Sequence, residues 1–127
     1  VPVVAGVCRR GARFLLGQRK AGSHLAGHWE FPGGKVRPGE SPEAALKREW
    51  MEELGVTITT AQAWTFAHQE YKEKAVLLLF FHIEIHGEPS PQEGQEIAWV
   101  TSEEAQGMNL PEGDSKALKT LMAEFPV

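Results

Sequence analysis

Between Gly34 and Val56 the chain carries Gly34, five residues, Glu40, seven residues, then Arg48-Glu49-Trp50-Met51-Glu52-Glu53-Leu54-Gly55-Val56. Two like charges about 4 Å apart repel by about 4 kcal/mol at an effective dielectric of about 20, so acids clustered this way require protonation, a cationic partner or a metal. Arg48 offsets only part of that repulsion. Oxygen ligands alone, with no Cys or His at zinc spacing, point to Mg²⁺, with Mn²⁺ as a substitute. Just upstream, Phe31-Pro32-Gly33-Gly34-Lys35 supplies the complement. Paired glycines let a carbonyl approach a metal or phosphate, and Lys35 adds a cation where a phosphate would sit. The expected chemistry is divalent-metal handling of phosphates. A solvated charged face and an ordinary tight turn are the plain alternatives, and the fixed offsets disfavour both.

Those acids converge only on a helix, and Ser41 to Leu54 carries the signals for one. Pro42 falls in the first turn, Glu43 near the positive helix end and Gly55 just beyond the last turn. At about 100° per residue, Glu49, Glu52 and Glu53 share an arc of about 100° beside a buried stripe of Leu46, Trp50 and Leu54. Ala45 falls on the acidic arc, where its small side chain is expected to leave room for the carboxylates.

The surrounding pattern reads as strands alternating with two or three helices. Val3 to Arg9 and Arg13 to Arg19 make a hairpin around Arg10-Gly11-Ala12, and Trp29 to Phe31 is a short strand. Thr57 to Phe66 and His68 to Tyr71 are extended. Ala75 to Ile85 is apolar on both faces, as expected of a sheet centre. Gly87 to Glu96 is a loop from which Glu93 can swing toward the helix. Ile97 to Val100 is the last strand, Ser102 to Gln106 a short helix and Ser115 to Phe125 the closing helix. The expected class is α/β, an α/β/α sandwich around a mixed sheet.

Composition narrows the partners. The 127 residues, 42% hydrophobic and 9% aromatic, suit one globular domain spanning the chain. A net charge of −4, with several of the 17 acids already assigned to metal, argues against a nucleic-acid or membrane surface and for a small nucleotide. Cys8 has no disulfide partner and lies in an apolar run, which reads as a buried structural thiol in a reducing cytoplasm. The longest apolar stretch, Ala75 to Ile83, is far short of the ~20 residues that span a bilayer, and no signal peptide is seen. The chain starts at Val1, so an initiator residue is expected to precede it. Oligomeric state stays open, with a monomer the expectation.

Gly34 to Val56 matches the signature of the Nudix hydrolases at every constrained position, with Trp50 and Val56 in its two apolar slots. Arg19, His24, Glu30-Phe31-Pro32-Gly33-Gly34-Lys35, Glu93-Gly94-Gln95 and Leu110-Pro111 to Leu121 resemble the MutT-like branch, which hydrolyses oxidised nucleoside triphosphates such as 8-oxo-dGTP. The resemblance implies the Nudix-type sandwich. It also implies that the Gly33 carbonyl and the carboxylates of Glu49, Glu52, Glu53 and Glu93 hold one to three Mg²⁺ ions. Glu40 would stand at the edge of that shell, and Arg48 would brace the glutamates. A metal-activated water would attack the diphosphate linkage, giving a monophosphate and pyrophosphate. Glu49 is the expected general base, with Glu93 its rival and Glu53 mainly a ligand. Arg19, His24, Glu30, Phe31, Pro32, Gly33 and Lys35 are the expected substrate contacts.

Base recognition falls to Asp114, at the position where some relatives carry asparagine. An ionised Asp only accepts hydrogen bonds, which suits the N7–H of an oxidised guanine. Asp114 is equally suited to capping a helix that starts at Ser115. A Nudix hydrolase for CTP, a modified pyrimidine triphosphate or a nucleoside diphosphate sugar remains the alternative. A non-catalytic nucleotide-binding module is a further one, although no helix acid is missing.

Overall fold

Local chemistry sets the boundaries of the helix that carries the acids. The computed structural model describes residues 1–125. Helix α1 (Pro42–Leu54) begins where Ser41 Oγ accepts from Ala44 N at 3.1 Å, and proline's fixed φ suits the first turn that follows. It ends at Gly55, whose φ of 68° lets its N–H return to the Met51 carbonyl.

Seven strands form the mixed sheet: β1 (Pro2–Arg10), β2 (Arg13–Gln18), β3 (Trp29–Glu30), β4 (Gly33–Lys35), β5 (Thr57–Tyr71), β6 (Lys74–His86) and β7 (Ile97–Thr101). Strand β1 organises it. It runs parallel to β6, with Val4 opposite Leu79, and antiparallel to β4, with Val4 opposite Gly34. At its far end it turns through Arg10↔Arg13 into β2, which is flanked in turn by β3 and β7. Strand β6 lies between β1 and β5, as its two apolar faces require.

Alternation along β1 divides the core between the two sheet faces. Val4 and Cys8 pack with Ala45, Leu46, Trp50 and Leu54 of α1. Ala5 and Val7 pack with Ala117, Leu118 and Leu121 of α3 (Glu112–Glu124). The short α2 (Ser102–Gln106) closes on itself through a capping box between Thr101 and Glu104. Helices on both faces make the expected α/β/α sandwich.

Four details differ from the sequence expectation. Gly33–Lys35 is a strand rather than a loop, because β1 offers it an antiparallel edge. Thr57–Tyr71 is continuous, its irregularity absorbed by register shifts at Ile58/Thr60 and Ala63/Thr65. Ala45 is fully buried in the core and leaves the acidic face to its neighbours. The closing helix starts at Glu112 with Pro111 in the cap position, so Asp114 lies inside its first turn and does not cap it.

The α1–β1 contact is unusually close. A Cβ at Gly6 would lie 2.9 Å from Trp50 Nε1, and that nitrogen donates to the Pro32 carbonyl at 2.8 Å. Trp50 thus fills the core and ties the helix to the segment preceding β4. Replacing a fully buried Trp with Ala removes both the packing and the bond, so Trp50→Ala is expected to destabilise the fold by about 3–5 kcal/mol. Urea denaturation of the variant against wild type measures this.

Candidate active site

Arg48, on the partly buried side of α1, gathers the acids. Its Nε and Nη2 donate to the two oxygens of Glu40 at 2.8 and 2.9 Å, a bidentate pair. Its Nη1 donates to Glu49 Oε1 at 2.8 Å and lies 3.5 Å from Glu52 Oε2, while Nη2 also reaches the Lys35 carbonyl at 3.0 Å. The bonds from Arg48, joined by one from Arg37 N to Glu40 Oε1 at 3.1 Å, hold the Glu40 carboxyl down at about 2, and the bonds to Glu40 and Glu49 keep the guanidinium firmly charged. Glycine is required at the adjoining strand: a Cβ on Gly34 would fall 2.6 Å from both Glu49 oxygens, and one on Gly33 would run into the Val4 carbonyl.

Glu53 is arranged differently. It lines a cavity with Gly17, Arg19, Lys20, Pro32 and Glu93. Burial pushes its carboxyl up to about 8, helped by the charges of Glu49, Glu30 and Glu93. A carboxyl so raised by its surroundings marks a place where a cation would be stabilising. The nearby donors are all hard oxygens, which fits a divalent ion such as Mg²⁺. Among the described residues, no three His, Cys, Asp or Glu side chains are grouped as an ion would need them. Existing pairings account for that: Glu49 and Glu52 lean on Arg48, Glu52 also lies 3.9 Å from Arg37, and Glu93 lies 3.3 Å from Lys20.

A second, more apolar cavity adjoins the first. Val3, Leu25, Tyr71, Val76, Leu78 and Pro111 give it apolar walls, and Arg19, His24, Lys35 and Asp114 add polar groups. Arg19 and Glu30 line both cavities and are paired at 2.9 Å, so a single ion pair forms the partition between them. Burial raises the Glu30 carboxyl, against the opposing pull of Arg19. His24 stands edge-on to Tyr71, with ring centroids 4.7 Å apart at 87°. Gly113 lets α3 approach the sheet here, since a Cβ there would collide with Leu78.

Asp114 is 4% exposed, and its Oδ1 accepts from Phe31 N at 3.1 Å. Burial, reinforced by the Glu30 charge, pushes its carboxyl up to about 8. Burial and the Glu30 charge thus favour the protonated form of Asp114 near neutrality, in which it can donate as well as accept, in contrast to the ionised, acceptor-only group expected from the sequence. Phe31 contributes through its backbone, because its ring lies in the core 5.5 Å from Phe14 and 6.0 Å from Phe80. Pro32 lines the first cavity while its carbonyl accepts from both Trp50 and Gly6.

A family model described as the NUDIX domain matches residues 1–125. The chain belongs to the Nudix family. Among its relatives, a CTP pyrophosphohydrolase of Escherichia coli is 38% identical over 97% of this chain and 92% of its own length. An 8-oxo-dGTP diphosphatase of Haemophilus influenzae is 37% identical over 98% and 93%. A MutT structure from work on the Aliivibrio salmonicida and Vibrio cholerae proteins superposes with a TM-score of 0.82 at 32% identity, covering 97% of each chain. This chain is accordingly a Nudix hydrolase acting on nucleotide phosphoanhydrides, an activity that in this family generally needs a divalent cation.

Lys20 and Tyr71 also line this Nudix site, although neither belongs to a motif in the sequence. The local mark of Lys20 is its place beside Arg19 just after β2. Tyr71 has no such mark, because the fold alone carries the end of β5 to His24 and Asp114.

The Arg48 network has a measurable acid limit. A carboxyl depressed from 4.5 to about 2 contributes stability that is present above about pH 4.5 and lost as pH falls through about 2. Arg48→Gln is expected to be less stable than wild type at pH 7 and to lose stability less steeply between pH 4.5 and 2. Denaturant midpoints across that range give the comparison.

Proposed function

We propose that this Nudix hydrolase cleaves a nucleoside triphosphate to a monophosphate and pyrophosphate, with an oxidised purine such as 8-oxo-dGTP as its substrate. The observation that carries the reading is the pair of adjoining cavities, one lined by acids and one largely apolar, divided by Arg19 and Glu30. Their chemistry suits a polyphosphate on one side and a base on the other.

Glu49, Glu52, Glu53, Glu93 and the Gly33 carbonyl would hold Mg²⁺, with Mn²⁺ as a substitute. A divalent cation bound there supplies hydroxide near neutral pH and offsets charge developing on phosphoryl oxygens. Glu49 is the proposed proton acceptor: its Oε1 is engaged by Arg48, so Oε2 is the oxygen to take the water's proton. Arg48 fixes that carboxylate's position and keeps Glu40 ionised beside it. Arg19, His24 and Lys35 surround the nucleotide, and Asp114 meets the base.

A protonated Asp114 could donate to a base carbonyl or accept from a ring N–H. Both groups occur on an oxidised guanine, and cytosine also offers a carbonyl and an amino group. The 38% identical CTP pyrophosphohydrolase supports that second reading, a pyrimidine triphosphate as substrate. A small nucleotide pool in the cytoplasm is the proposed setting, which a buried free thiol at Cys8 suits. Among the described residues no helix is long and apolar enough to cross a membrane.

Two measurements test these readings. Glu53→Gln is expected to lower Mg²⁺-dependent turnover by at least about a hundredfold while circular dichroism stays native; full activity would remove the metal-site proposal. Pyrophosphate release from 8-oxo-dGTP, dGTP and CTP is expected to give the highest kcat/KM for the oxidised purine. Equal values would end the sanitising role and leave the hydrolase chemistry standing.

A further inference from the structure

The two segments that bound the acidic cavity are held differently. Residues 87–96 are pinned to the C-terminal end of α1. Ser90 N donates to the Leu54 carbonyl at 3.0 Å, Gln92 N to the Glu53 carbonyl at 2.9 Å, and Gln95 Nε2 to that same carbonyl at 3.0 Å. These bonds satisfy carbonyls that a helix end leaves without partners, and they fix the backbone around Glu93. The expectation of a swinging loop is thereby narrowed to a turning side chain. That side chain reaches across the cavity mouth to Lys20 Nζ at 3.3 Å.

Lys20 extends from the end of β2, and both it and Glu93 line the cavity that holds Glu53. Their side chains are 53% and 41% exposed, and a pair so open to solvent is held weakly and exchanges partners easily. The other cation on this wall, Arg19, is already committed to Glu30 and to the His24 carbonyl. An ammonium is a compact charge with three rotatable donors, suited to phosphoryl oxygens in no fixed orientation.

We propose that Lys20 is a phosphate-binding residue held in reserve by Glu93: when the Glu93 carboxylate turns to a divalent cation, the Lys20 ammonium is released onto the polyphosphate. The inference rests on the triphosphate reading above. It makes cation and triphosphate binding reinforce each other through one exchanged ion pair, so each raises the affinity for the other.

Calorimetric titration of the intact protein with Mn²⁺ alone, and then with an α,β-methylene deoxynucleoside triphosphate at saturating Mn²⁺, tests it without turnover. Lys20→Met is expected to bind Mn²⁺ about threefold more tightly, having lost the competitor for Glu93. The same variant is expected to bind the triphosphate analogue about tenfold more weakly, with Lys20→Arg restoring most of that loss. A purely structural role would not move the two affinities in opposite directions. In a Glu93→Gln background, Lys20→Met is expected to leave Mn²⁺ affinity unchanged; a persistent gain would mean a diffuse charge effect and overturn the exchange. Equal analogue binding by wild type and Lys20→Met would overturn the Lys20 assignment alone, whereas no analogue binding by wild type would overturn the triphosphate reading with it.

Discussion

A single guanidinium holds the acidic helix to the segment in front of it, and much of the site's geometry depends on that grip. Arg48 binds Glu40 in bidentate fashion, takes one oxygen of Glu49 and reaches the Lys35 carbonyl on β4. Its side chain is 16% exposed, so these are charge-assisted bonds in a partly dry setting rather than weak surface contacts. An ammonium could not replace it, since one point charge cannot satisfy a carboxylate bidentately while also reaching a second acid and a carbonyl. The arrangement leaves Glu53 outside the guanidinium's reach, and that carboxyl is the one whose burial leaves it short of positive charge.

Close approach supplies the second constraint. Glycine at positions 6, 33 and 34 removes the Cβ atoms that would meet Trp50, the β1 backbone and Glu49. Side chains of the helix therefore lie directly against the backbones of β1 and β4, and Trp50 ties the helix to the segment before β4 by donating to Pro32. Packing and chemistry use the same helix: Leu46, Trp50 and Leu54 anchor the face next to the acids.

What could be read from the sequence was local. Ser41, Pro42 and Gly55 mark the ends of α1 because caps act within a few residues, and the apolar run in β6 marks the sheet's interior. Strand β4 was hidden because its partner in β1 lies about thirty residues earlier in the chain, and a short Gly-Gly-Lys segment has no alternation of its own. Asp114 looked like a cap because composition favours that role, yet its partner is the amide of Phe31, 83 residues away. The Lys20–Glu93 contact spans 73 residues and joins two segments with no shared pattern. Spacing identified which acids could act together, while their actual pairings depend on strand register and on where the loops are tied.

The shared wall of Arg19 and Glu30 has a consequence for how such an enzyme can change over evolutionary time. Glu30's charge acts on Asp114 in one cavity and on Glu53 in the other, raising both carboxyls. On the proposed assignment of the two cavities, substrate preference and bond cleavage would share this pair and would not be separable modules. A mutation at Glu30 or Arg19 that retuned the proposed base pocket would then also be felt at the acids of the other cavity, so a lineage drifting toward a new nucleotide would have to adjust both sides of the partition together.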